Sequence, residues 1–98
     1  PEITLPYGGR LANSVYHVYP VFCNRRNDLK QYLQNNGVMS IIHYPIPPHR
    51  QKALQNTLKG ADAPVTEKIS ATELSIPINS AMTKEDIDEV LRVINSFK

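Results

Sequence analysis

The stretch "IIHYPIPPH", residues 41–49, limits what this chain can fold into more than any other. Pro45, Pro47 and Pro48 lack an amide proton and have a fixed φ, so neither a helix nor a sheet ladder continues through them. They also push the residues before them into extended backbone. The stretch must leave its strand as a stiff arm, and His43, Tyr44 and His49 ride on it. Two readings stand open on the residues alone. Side chains are held out for binding where a strand meets a rigid loop, a common place for binding groups, or the prolines end a strand and the histidines are incidental.

Other breakers divide the rest of the chain into short elements. Residues 1–14, with "PYGG", predict an irregular lead-in. "VYHVYPVFC", residues 15–23, is dense in β-branched and aromatic residues and predicts a first strand, with Pro20 marking an edge or a bulge. Asn24 is placed to cap a helix over 25–36, in which Leu29, Tyr32 and Leu33 recur at helical spacing and Gly37 is the stop. "VMSIIHY" predicts a second strand running into the arm, "QKALQNTL" a short helix broken by "KGADAP", and Pro64 the first residue of a helix to about Ala71. "ELSIPI" reads as a third strand stopped at Pro77. Thr83 and Asp86 have capping-box spacing, and Ile87, Val90, Leu91, Ile94 and Phe97 form one apolar face of a helix over 84–97. The expected fold class is α/β (α+β), a two-layer domain with a small open three-stranded sheet, helices packed on one face and a C-terminal amphipathic helix. Connections of this length leave strand direction open.

Composition removes several functions. With 98 residues the chain is one small domain, and 11 Lys and Arg against 9 Asp and Glu are scattered without a basic stripe, so nucleic acid is not the expected partner. No apolar run reaches the ~18 residues of a membrane span, and no signal-type start is present. The single cysteine, Cys23, can form no internal disulfide, which favours a reducing, cytoplasmic setting. A chain beginning at Pro1 fits a piece cut from a longer protein, as processing would also leave. No Gly-rich phosphate cradle or nucleophile elbow is present, and His17, His43, His49 and Cys23 match no common zinc spacing, so no metal is expected. His17, inside the expected first strand among apolar neighbours, reads as a packed, hydrogen-bonded histidine.

In order, "VYHVYPVF", "NNGVMSIIHYPIPPH", "APVTEKIS", "LSIPI" and "MTKEDIDEVLRVI" resemble the closing segment of the DegT/StrS family of pyridoxal-phosphate-dependent sugar aminotransferases. The most specific piece is "HYPIPPH" after a Gly-terminated helix; Pro20 departs from the pattern, where a sheet-competent residue is more usual. The resemblance implies a fold-type-I homodimer whose large domain binds the cofactor, with residues 1–14 leading in from that domain and residues 15–98 as the small C-terminal domain. It implies transfer of an amino group from glutamate to a keto group of a nucleotide-linked deoxysugar, with the greatest likeness to enzymes acting on thymidine-diphosphate-linked sugars, for cell-surface polysaccharide or lipopolysaccharide biosynthesis. The Schiff-base lysine would lie on the large domain, leaving no catalytic residue here, while His43, Tyr44 and His49 would line the sugar side of the site. An independent binding module and a purely structural cover that completes the dimer remain the alternatives.

Overall fold

The computed structural model describes residues 2–6 and 13–98. Its elements are β1 (Ile3–Thr4), β2 (Tyr19–Cys23), α1 (Arg26–Asn35), two 3-10 turns (Pro48–Arg50 and Lys52–Leu54), α2 (Pro64–Thr72), β3 (Glu73–Ile76) and α3 (Lys84–Asn95). The strands form one sheet in the order β1-β2-β3, antiparallel throughout, with Ile3 opposite Cys23 and Val21 opposite Leu74. Side chains alternate across a strand, so this register puts Val21, Cys23 and Leu74 on one face. There they meet Leu29 and Leu33 of α1, Val38, and Val93 and Ile94 of α3 in a single buried core. The expected two-layer arrangement with a small open three-stranded sheet is present, and the strand senses left open by the sequence are now set.

Local signals placed the helices well. Thr83 Oγ1 accepts the Asp86 amide while the Asp86 carboxylate accepts the Thr83 amide, completing the capping box of α3. At the end of α1, Gly37 takes φ +77°. Its amide donates to the Gln34 carbonyl, and the Val38 amide reaches back to Leu33 at 2.9 Å, a Schellman closure that needs a left-handed residue. The start of α1 differs from expectation: Arg25, not Asn24, is the N-cap, and no side chain caps it.

The sheet membership differs more. "VMSIIHY" is not a strand; its one backbone pairing with the sheet among the described residues is an isolated bridge between Ile41 and Ser75. The third strand comes instead from Ile3–Thr4 in the lead-in, whose residues 7–12 lie outside the described residues. The strand expected over 15–23 begins only at Tyr19, because Tyr16 turns the chain with φ 47° and Val15 is exposed. Pro20 sits in the middle strand, yet β1 pairs only with Phe22 and Cys23, so Pro20 pairs on one side alone, with Ser75. A missing donor is tolerated there as at an edge. "QKALQNTL" forms a single 3-10 turn rather than a helix. On α3, Ile87 and Leu91 stay about half exposed although they belong to the apolar stripe.

Because Leu74 is fully buried, Leu74→Ala should remove ~2–5 kcal/mol of stability, as large-to-small core changes do. Leu91→Ala, at a half-exposed position, should cost well under half of that. Urea unfolding midpoints of the two variants against the parent measure the difference, and equal losses would contradict this core.

Candidate sugar-side site on the proline arm

The arm is anchored to β3 at its start. Ile41 and Ser75 exchange backbone hydrogen bonds, Ile41 N to Ser75 O at 3.1 Å and Ser75 N to Ile41 O at 2.8 Å. Two residues on, the His43 amide donates to Glu73 Oε2 at 2.7 Å, and His43 Nδ1 lies 2.9 Å from Ser75 Oγ. Ser75 Oγ itself donates to Glu73 Oε1 at 2.6 Å. Glu73 and Ser75 alternate with Leu74, so they point away from the core, yet both are buried. The arm is what lies over them, and its amide and imidazole satisfy the carboxylate and hydroxyl that burial would otherwise leave costly.

A serine hydroxyl has one proton, and here it goes to Glu73. Its oxygen is therefore the acceptor for His43 Nδ1–H, which assigns the ring tautomer from the hydrogen-bond network. Among the described residues nothing hydrogen-bonds Nε2, and that nitrogen is not among the buried unpartnered atoms, so it keeps contact with solvent. The next side chain, Tyr44, follows a cis His43–Tyr44 peptide, is mostly exposed, and stands edge-on to the His43 ring with centroids 5.2 Å apart. His43 and Ser75 also line a shallow cavity of about 260 Å³ with His17, Met39, Ser40 and Ile78. The Ser40 hydroxyl is buried without a partner among the described residues. His17 lines this cavity from an exposed bend before β2, not from within a strand, so the packed histidine expected there is not what the fold provides.

The far end of the arm is fixed differently. Pro47 is buried and Pro48 opens a 3-10 turn. His49 Nε2 lies 2.9 Å from Glu67 Oε1 on α2, and Arg50 donates to the same oxygen from Nε at 2.8 Å and Nη2 at 2.5 Å. The His49 side chain is almost wholly buried. Of the three residues expected on the site, His43 and Tyr44 therefore stand side by side with groups exposed, while His49 is committed to α2. Glu73 and Ser75 are site residues that the sequence reading missed. Their signal was the polar, apolar, polar, apolar order of "ELSI", which puts both on one face without telling what covers it.

Comparison with known proteins decides what kind of chain this is. The sequence pattern of the DegT/DnrJ/EryC1/StrS aminotransferase family matches residues 2–95. The chain belongs to that family. It is 32% identical over 97 residues to the dTDP-3-amino-3,6-dideoxy-alpha-D-galactopyranose transaminase of Aneurinibacillus thermoaerophilus, covering 99% of this chain and 26% of that enzyme. It is 28% identical to the dTDP-3-amino-3,4,6-trideoxy-alpha-D-glucose transaminase of Streptomyces venezuelae, covering 100% of this chain and 25% of that one. Among solved structures, S. venezuelae DesV in complex with a ketimine intermediate superposes with a TM-score of 0.81 at 29% identity, over 97% of this chain and 25% of DesV. NtdA of Bacillus subtilis with bound cofactor PMP gives 0.79 at 28% identity, over 97% of this chain and 23% of NtdA. The chain thus spans about a quarter of the length of the aminotransferases it matches.

The family works with pyridoxal phosphate, and the residues here do not fit that group. No lysine lines the cavity beside His43, Lys30 donates to the Ser40 carbonyl, and Lys84 pairs with Asp88. Nothing in the described residues assembles a phosphate cradle with a Schiff-base lysine.

The His49 and Arg50 hydrogen bonds hold the Glu67 carboxyl below its ordinary value of 4.5, with the His49 contact the larger cause. A carboxyl lowered in the folded state contributes its full anchoring above the ordinary value and loses it as pH falls through the lowered one. Hydrogen exchange at the Arg50 amide, corrected for intrinsic rate, should therefore lose protection as pH falls through that lowered value. Glu67→Gln should show the loosened behaviour at neutral pH. A protection factor indifferent to both changes would show that Glu67 does not hold the arm.

Proposed function

We propose that this chain is the small C-terminal part of a pyridoxal-phosphate-dependent sugar aminotransferase, and that its proline arm contacts the nucleotide-sugar substrate. The observation that carries the reading is the pairing of family membership with an arm that exposes His43 Nε2 and the Tyr44 phenol beside each other. The large cofactor-binding domain of the same chain would supply the Schiff-base lysine. The cofactor, when bound there, acts as the electron sink for amino transfer from glutamate to a keto group of a nucleotide-linked deoxysugar. Relatives named for dTDP-linked amino sugars support a nucleotide-linked hexose as substrate. Biosynthesis of surface polysaccharide or lipopolysaccharide in the cytoplasm, by a homodimer, follows from the same reading. No helix among the described residues is long and apolar enough to cross a membrane.

The role of this chain is to bind and orient. Prolines 45, 47 and 48 fix the arm before substrate arrives, which reduces the ordering cost of binding. An apolar groove of about 460 Å³ between the β1 end and α3, lined by Leu5, Ile78, Met82, Ile87 and Leu91 among others, supports a second contribution, packing against the large domain. A groove of this kind left uncovered promotes association. The 98-residue chain alone should therefore self-associate as its concentration rises, and sedimentation showing a clean monomer throughout would favour an autonomous binding module.

In the full-length enzyme, His43→Ala should raise KM for the nucleotide sugar about tenfold to a hundredfold, the effect of leaving one substrate polar group unpaired (~1.5–3 kcal/mol). The amino-donor half-reaction and cofactor content should stay nearly unchanged. His49→Ala should affect sugar binding less, because its ring is spent on Glu67. Equal loss in both half-reactions would place His43 in the scaffold instead.

A further inference from the structure

We infer that Glu73 and Ser75 are positioning residues that fix His43 as the Nδ1–H tautomer, so that the arm offers substrate a lone-pair acceptor at Nε2 and selects a sugar hydroxyl at that position. The inference rests on the substrate-side reading of the arm and adds to it the polarity of the contact. Every proton in the chain Glu73, Ser75, His43 is accounted for. Glu73 Oε2 is taken by the His43 amide at 2.7 Å, so its Oε1 is the oxygen left for Ser75. The serine proton is spent at 2.6 Å on that oxygen, and Nδ1–H must then be the donor across the 2.9 Å contact. Buried carboxylate and buried hydroxyl hold each other in place, so the arrangement does not depend on a flexible surface group.

The consequence is chemical selectivity. A neutral imidazole with Nδ1–H presents no donor at Nε2, so it repels a diphosphate oxygen or a carbonyl lone pair and favours O–H. Sites that hydrogen-bond a hydroxyl discriminate strongly against analogues lacking it. Among the groups of a nucleotide-linked keto-sugar, the partner of His43 is therefore a ring hydroxyl, not the diphosphate.

A near-isosteric change inverts this polarity. In Glu73→Gln the amide oxygen must face the His43 amide, because that donor needs an acceptor. The amide nitrogen then faces Ser75 Oγ and donates to it. The serine proton is turned toward Nδ1, and the ring proton moves to Nε2. The test uses full-length enzyme labelled with 15N-histidine, with His43 assigned by its absence in His43→Gln. Imidazole 15N spectra should show Nδ1–H in the wild type, Nε2–H in Glu73→Gln, and loss of the fixed tautomer in Ser75→Ala. Ser75→Thr, which keeps the hydroxyl, should retain the wild-type pattern.

Kinetics supply the second arm. The wild type should prefer the natural sugar over the analogue in which the contacted hydroxyl is replaced by hydrogen by about tenfold or more in kcat/KM, found by replacing ring hydroxyls one at a time. Ser75→Ala and Glu73→Gln should lose most of that preference, while Ser75→Thr should retain it. An Nε2–H wild type, or a preference undiminished in both variants, would overturn the tautomer assignment while leaving the arm on the substrate. A His43→Ala enzyme with unchanged sugar affinity would overturn the underlying reading itself.

Discussion

Strand β3 is the member on which the rest of the structure depends, because it is covered on both faces by different chemistry. On one side Leu74 sits opposite Val21 and closes the core formed with α1 and α3. On the other side Glu73 and Ser75 receive the arm. The apolar contacts contribute the free energy, since burial of a leucine-sized side chain stabilises by about 1.5–3 kcal/mol. The polar side contributes little net stability, but a buried carboxylate stripped of its partners would cost several kilocalories. Folding of the core therefore favours the arm in place, because its amide and imidazole complete the hydrogen bonding that Glu73 and Ser75 begin with each other.

What the sequence revealed follows the range of each signal. The Thr83 and Asp86 box, the Gly37 stop and the Pro64 start are complete within four or five residues, and the structure places each where the spacing predicts. Strand pairing is not local. "VMSIIHY" has the composition of a strand, but among the described residues its backbone pairs with β3 at Ile41 alone. The two-residue segment Ile3–Thr4, with almost no strand signal of its own, is held in the sheet because Cys23 and Phe22 lie opposite it. The same distinction applies to the site. His43 and Tyr44 were visible because prolines isolate them in the sequence, whereas Glu73 and Ser75 were hidden because an alternating pattern does not say which face meets solvent. His17 misled for a related reason: apolar neighbours suggested a strand interior, and the positive φ at Tyr16 removed it from the ladder.

Family membership and the geometry bear on separate parts of the functional reading. The match over residues 2–95 says which family the chain belongs to. It does not say which atoms are free to bind. Hydrogen-bond accounting around one imidazole, where a carboxylate, a hydroxyl and a backbone amide leave a single nitrogen uncommitted, is what supports the proposed contact.

Helix α2 runs into β3 with no loop between Thr72 and Glu73. The two anchors of the arm, Glu67 at its far end and Glu73 at its start, thus belong to one uninterrupted stretch of backbone. Arg26 of α1 clamps the junction by donating from Nη1 to the Ser70 and Glu73 carbonyls at 3.1 and 3.2 Å. The arm is in effect a splinted bow, tied at both tips to the same rod. It has no free end about which to swing, so access for any bulky ligand would have to come from movement of whatever faces the arm and not from the arm itself.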